Sequence, residues 1–178
     1  MAELFHVSLT PDQELAPAPS RAHGEGHVYW HAEAGLLTFD LHVTGVDFAP
    51  LGGLGEGTEA TADDVTNLHL HNAARGEAGA VVFNPALPLS GANDLTATQD
   101  PDGSWHVHGV WNMSDPALST LATFADDLTA ARPGEDVPLY FNVHTTGVST
   151  GEIRGQWVAA EADHGQVHHG WEADAALA

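Results

Sequence analysis

Residues 26–46 read GHVYWHAEAGLLTFDLHVTGV, and their alternation decides the class of fold. Leu37, Phe39, Leu41 and Val43 fall on one face of an extended chain, and Thr38, Asp40 and His42 fall on the other. That period of two belongs to a half-buried strand. A second alternating run precedes it, and the short turn carrying Gly35 joins the two into a β-hairpin. The pattern spreads outward. Phe5, Val7 and Leu9 share a face near the start, and VTNLHLH (65–71), AGAVVFN (78–84), LTATQ (95–99) and SWHVHGVW (104–111) follow. PLYFNVHT (138–145) and GEIRGQWVA (151–159) complete the set. About nine short strands with frequent turn signals predict an all-β fold, an antiparallel β-sandwich of Greek-key, immunoglobulin-like or dismutase-like kind.

One stretch breaks the period. Leu118, Leu121, Ala125 and Leu128 repeat at helical spacing, Asp115 is placed to cap them, Pro116 suits a first turn and Pro133-Gly134 ends the run. A crossover helix is therefore expected over 116–131. Residues 47–64, DFAPLGGLGEGTEATADD, read as a long Gly- and acid-rich loop of the kind that is functional or mobile. Asp-Pro-Asp-Gly at 100–103 reads as a hairpin turn. It lacks the later ligands of a calcium loop.

The chain has 178 residues and a net charge of −21, with four arginines and no lysine. Such a balance excludes nucleic acid and anionic membranes as natural partners and favours cations, a basic partner or a saline environment with a halophilic surface. Without cysteine there is neither a disulfide nor a thiolate site, so a transition metal must sit on nitrogen and oxygen. No apolar run reaches membrane-spanning length, and no membrane insertion is expected. The start lacks the basic and apolar parts of a secretory signal, which predicts a cytoplasmic chain as written, or an exported one if a leader has been removed. Residues 1–160 are expected to form one domain, and 161–178 a mobile tail. A protein partner and a homo-oligomeric state stay open.

VTNLHLHNAARGEAGAVVF and, after the helical insertion, LYFNVHTTGVSTGEIRGQW together resemble the CHRD domain family. The matching positions are His69, His71, Gly76, Gly79, Val81 and Val82 in the first block. In the second they are Tyr140, Asn142, Val143, His144 and Thr145, then Gly151, Glu152, Ile153, Arg154 and Gly155. The resemblance runs over about residues 3–158, with a 47–64 loop longer than the family suggests. It implies a β-sandwich and no particular activity.

It also singles out His69, His71 and His144 among 13 histidines. On a strand, Asn67, His69 and His71 share one face, leaving Leu68 and Leu70 for the core. Tyr140, Asn142 and His144 share a face in the same way, opposite Phe141, Val143 and Thr145. If the two strands are neighbours, three imidazoles meet, although both histidines of His-x-His reach one ion only where the strand bends or bulges. Three neutral imidazoles with an open position suit copper or zinc. A hydrogen-bonded structural cluster and plain surface histidines are the competing readings. The leading expectation is a metal-binding module for storage, delivery or sensing. Its competitors are a copper-dependent redox enzyme similar to copper/zinc superoxide dismutase and a metal-free interaction module.

The other histidines read more plainly. His106 and His108 flank the inward Val107, and a metal role is the minor reading for this pair. His23, His27, His31 and His42 lie on the first hairpin, with His42 placed opposite His27 and His31, and read as a solvated face. His164, His168 and His169 in the tail can capture metal adventitiously. Glu152, Arg154 and Gln156 alternate with Ile153 and Trp157. An ion pair of Arg154 with Glu152 or an acid across the sheet is the favoured reading, ahead of an anion guide beside a metal.

Overall fold

A computed structural model describes residues 2–52, 57–85, 95–115 and 119–161. The alternating runs become nine strands: β1 (Glu3–Leu9), β2 (His23–His31), β3 (Leu36–Thr44), β4 (Val65–Asn72), β5 (Ala80–Phe83), β6 (Leu95–Gln99), β7 (Trp105–Asn112), β8 (Asp136–Thr145) and β9 (Ile153–Ala160). They form one antiparallel sheet in the order β5-β4-β8-β9-β1-β2-β3-β7-β6.

The sheet curls on itself, so that its two halves face each other as the layers of a sandwich do. Phe39 on β3 and Phe141 on β8 lie four strands apart in the sheet, yet their ring centroids are 4.9 Å apart. Phe83 on the edge strand β5 stacks on Trp111 of β7 at 4.8 Å. Leu37, Phe39, Leu41 and Val43 are all buried in this core, as are Phe5, Val7 and Leu9. Burying such aromatic and aliphatic side chains is worth roughly 1.5–3 kcal/mol each, which makes the curl the main source of stability.

The helix is shorter than the spacing predicts. A 3-10 turn at Leu121–Phe124 runs into α2, Ala125–Ala130 (a one-turn helix α1 spans Ala49–Gly52). Residues 116–118 lie outside the described residues, but Ser119 and Thr120 are not helical. The reason is a competing bond: the Ser119 amide donates to Val82 of β5 at 3.1 Å, which holds this segment along the sheet edge. Asp115 does not cap the helix; its carboxylate accepts from the Asn112 amide at 2.6 Å and closes the turn after β7. Leu121, Phe124 and Leu128 still face the core, and Thr129 accepts from the Trp30 indole at 3.0 Å.

The described part of the 47–64 loop is anchored at its base. Asp47 is buried, and its carboxylate accepts from the Ala49 and Thr58 amides at 2.8 and 2.7 Å. The Asp47 amide bonds Asp63, and Asp64 and Ala62 accept from Thr146 and Gly147 in the turn after β8. The tail beyond 161, with His164, His168 and His169, lies outside the described residues. Among the described residues no helix is long and apolar enough to cross a membrane.

Candidate metal centre

β4 and β8 are hydrogen-bonded neighbours, with Asn67 opposite His144, His69 opposite Asn142 and His71 opposite Tyr140. The register shifts between Val65 and Asn67 against β8, and between Leu70 and His71 against β5. These bulges supply the bend that a His-x-His strand needs if both rings are to turn toward one point. His69, His71 and His144 each bring one ring nitrogen to within 4.8 Å of the others. A tetrahedral ion with bonds of about 2.0–2.1 Å holds its ligands roughly 3.3 Å apart, so the three rings would have to draw closer to share one.

Hydrogen bonds fix which nitrogens face inward. The Gly79 carbonyl accepts from His71 Nδ1 at 3.0 Å, and the Ser149 carbonyl accepts from His144 Nδ1 at 3.0 Å. A carbonyl only accepts, so both rings carry their proton on Nδ1 and keep a lone pair on Nε2. His71 Nε2 is buried and has no hydrogen-bond partner among the described residues. His144 Nε2 accepts from His69 Nδ1 at 3.2 Å. A metal ion would replace that one shared proton.

The surroundings favour the neutral form of His69 and His71. Burial, then the imidazoles of His144 and His71, push His69 from 6.5 down to about 4. His71 is lowered as well, chiefly by burial, against the raising effect of the Gly79 carbonyl. Neutral imidazoles are the ligand form, so this pocket meets the first requirement of a nitrogen site near neutral pH.

The other marker residues build the frame around these rings. Tyr140 stacks on His71 with centroids 4.9 Å apart and planes within 6°, and the Arg154 guanidinium covers Tyr140 at 3.4 Å from its centroid. Arg154 donates to the carbonyls of Glu77 (2.8 Å) and Ala74 (3.2 Å), and Gln156 donates to that of Ala73 (3.1 Å). Tyr140 Oη accepts from the Gly79 amide at 3.2 Å. The 73–79 turn is thus pinned from below, and it presents the Gly79 carbonyl that orients His71. Only glycine fits there, because a Cβ would lie 2.2 Å from the Asn72 carbonyl oxygen. Arg75 in the same turn forms a two-pronged pair with Asp136 at 2.7 and 2.8 Å.

Arg154 departs from the expected ion pair. Its side chain is buried and spends its N–H groups on backbone carbonyls, while Glu152 accepts from Thr145 and Ser20 hydroxyls, each at 2.5 Å. The carbonyls of the turn take the place of a carboxylate, and the guanidinium ties that turn to β9. Asn142, also buried, donates to Glu14, whose carboxyl burial raises toward its neutral form.

A second group of side chains meets on β3 and β7. His42 does not face His27 and His31; it pairs with Glu25 on one side and His106 on the other. His42, Asp100 and His106 place ligand atoms within 4.8 Å of one another. His108 goes elsewhere, to Asp40 at 3.1 Å, and is raised by that bond. The Asp-Pro-Asp-Gly turn is an ordinary hairpin turn, with the Gly103 amide donating to Asp100 at 2.9 Å. No sequence signal sets the β3–β7 register, so the His42–His106 meeting was not legible.

A family model described as CHRD domain matches residues 5–157. No curated protein and no solved structure matches the chain. The match takes in all nine strands in whole or in part, together with the three histidines and the residues that frame them. The chain belongs to the CHRD domain family.

Proposed function

We propose that this CHRD domain is a metal-binding module that holds one copper or zinc ion on His69, His71 and His144. The observation that carries the reading is His71. Its Nδ1 is committed to the Gly79 carbonyl, while its Nε2 is buried and has no partner among the described residues, and the ring centroid lies 5.6 Å from that of His69 and 6.4 Å from that of His144. A buried polar atom without a partner costs about 1–3 kcal/mol, and a bound ion would relieve that cost. The carbonyls of Gly79 and Ser149 act on the rings as outer partners do in metal sites, fixing tautomer and orientation. Three nitrogens leave a position open, so the ion can be exchanged with a partner or sensed.

A hydrogen-bonded cluster without metal is the competing reading, and it explains the His69–His144 bond but not the unpartnered His71 nitrogen. The redox reading gains no support from Arg154, which is sequestered beneath Tyr140. Metal analysis and calorimetric titration of the full chain, with the tail histidines His164, His168 and His169 changed to Gln, test the proposal. One tight equivalent of copper or zinc, lost in His71→Ala, supports it. Equal binding by the parent and His71→Ala rejects it. Superoxide removal by the copper-loaded protein would move the reading to an enzyme.

A further inference from the structure

The geometry points to a second, separate cation site on the outer face of the sheet, built from His42, Asp100 and His106. It takes a divalent transition-metal ion on two imidazoles and one carboxylate. It stands on residues remote in the sheet from His69, His71 and His144 and does not depend on them.

His42 and His106 are direct cross-strand partners on β3 and β7, with ring centroids 4.8 Å apart. Side chains at such paired positions rise from the same face and stay together without any loop to order. Asp100 reaches them because the hairpin turn folds back. Its amide bonds the Ser104 carbonyl at 2.8 Å, and the Asp102 carboxylate accepts from the Ser104 amide at 3.0 Å. That turn sets Asp100 Oδ2 at 3.0 Å from His106 Nε2 and 3.8 Å from His42 Nε2. One oxygen thus faces two ring nitrogens.

The buried Ser104 orients His42. Its hydroxyl gives its one proton to Asp102 Oδ1 at 2.5 Å, so it accepts from His42 Nε2–H at 2.8 Å. A divalent ion would displace that proton and the one His106 shares with Asp100, each ring then carrying its proton on Nδ1. Nitrogen and carboxylate ligands together suit zinc, copper, nickel or cobalt in the divalent state, and not calcium or magnesium, which take oxygen. The charge around it fits a cation. Glu25 pairs with His42 on its other flank, and the chain as a whole carries −21. His42 and His106 expose 42 % and 63 % of the side chain, and His106 is exposed where His69, His71 and His144 are all partly buried, so the ion would enter directly from solvent and bind more weakly than at that cluster.

Zinc titration of the full chain with His164, His168 and His169 changed to Gln is the test, followed by calorimetry and by the proton resonances of the His42 and His106 rings. The parent should take up a weaker zinc equivalent that shifts both rings. His106→Ala and the isosteric Asp100→Asn should each weaken that equivalent by at least about tenfold, and His108→Ala should leave it unchanged. His69→Ala should retain it, whatever becomes of the inner site. The inference is overturned if the parent leaves the His42 and His106 resonances unmoved by zinc. It is equally overturned if the weaker equivalent survives both Asp100→Asn and His106→Ala within twofold.

Discussion

The cluster on β4 and β8 and the cluster on β3 and β7 begin from the same device, histidines on neighbouring antiparallel strands. They diverge in what surrounds the rings. Around His69, His71 and His144 the partners are backbone carbonyls and one another, and the rings are half-buried. Around His42 and His106 the partners are a carboxylate and a serine hydroxyl, and solvent reaches both rings. Burial makes an imidazole keep a neutral lone pair, and a carbonyl decides where that lone pair points. The outer pair is held instead by its strand register and by the Ser104 hydroxyl, and a carboxylate stands beside it. The first cluster thus offers neutral rings alone, the second rings beside a negative charge.

The sharpest way to break the contrast is to remove an inner ring. His71→Ala should lower zinc or copper affinity on the order of a thousandfold, about 4 kcal/mol, because two imidazoles remain. The measurement is competition against a chelator of known affinity. A loss no greater than that of His106→Ala would erase the distinction between the clusters.

Next in size is the frame. Arg154→Met removes the donors to the Ala74 and Glu77 carbonyls and the cation over Tyr140. It should cost about 2–3 kcal/mol of stability in urea unfolding. It should also weaken inner binding roughly tenfold by loosening the Gly79 carbonyl. The outer site should not respond. An Arg154→Met protein with parental stability and affinity would mean that the 73–79 turn holds itself.

Acid separates the two environments by sign. The unfolded chain protonates His69 near 6.5, whereas the folded protein resists until about 4. Across that window the unfolded state binds more protons, so this group makes the metal-free protein less stable as pH falls through it. His108 behaves oppositely. Asp40 raises it, so its contribution is complete below about 6.5 and disappears as pH rises through its folded value. His69→Gln should flatten the acid loss of stability and His108→Gln should steepen it, measured as unfolding midpoints from pH 7.5 to 4.5. The same sign for both variants would contradict the assignment.

The smallest effect concerns the surface on which the outer cluster lies. With a net charge of −21, self-repulsion should be relieved by salt. The unfolding temperature should rise by about 3 °C between ~0.1 and ~2 M potassium chloride, corresponding to roughly 1 kcal/mol. A flat or falling midpoint removes the halophilic reading and leaves the acids as a cation-gathering surface alone.

Most of the fold was legible because alternation is local. Leu37 to Val43 declare a buried face without reference to any partner, and so do Phe5, Val7 and Leu9. The helix was misjudged in length because the bond from Ser119 to Val82 is not local, and helical spacing says nothing of a strand edge competing for an amide. The inner cluster was legible through His69, His71 and His144, whose pairing needed only that β4 and β8 be neighbours. The role of Arg154 was not, because carbonyls carry no sequence signal. Nor was the outer cluster, since joining His42, Asp100 and His106 requires the β3–β7 register and the return of the Asp100–Ser104 turn.

The strand order carries a consequence for how the chain reaches this state. β1 lies at the middle of the sheet, with β2 on one side and β9 on the other. The register of Phe5 with Ala159 and Val7 with Trp157 joins the two halves. A ribosome makes β1 before any other strand and β9 after all of them, so the seven strands between must wait for a pairing that spans nearly the whole described chain. Closing so long a loop slows the search and leaves open edges while it lasts. Folding during synthesis can complete hairpins such as β2–β3 and β6–β7, but the curl must close after translation of β9, in one late and cooperative step.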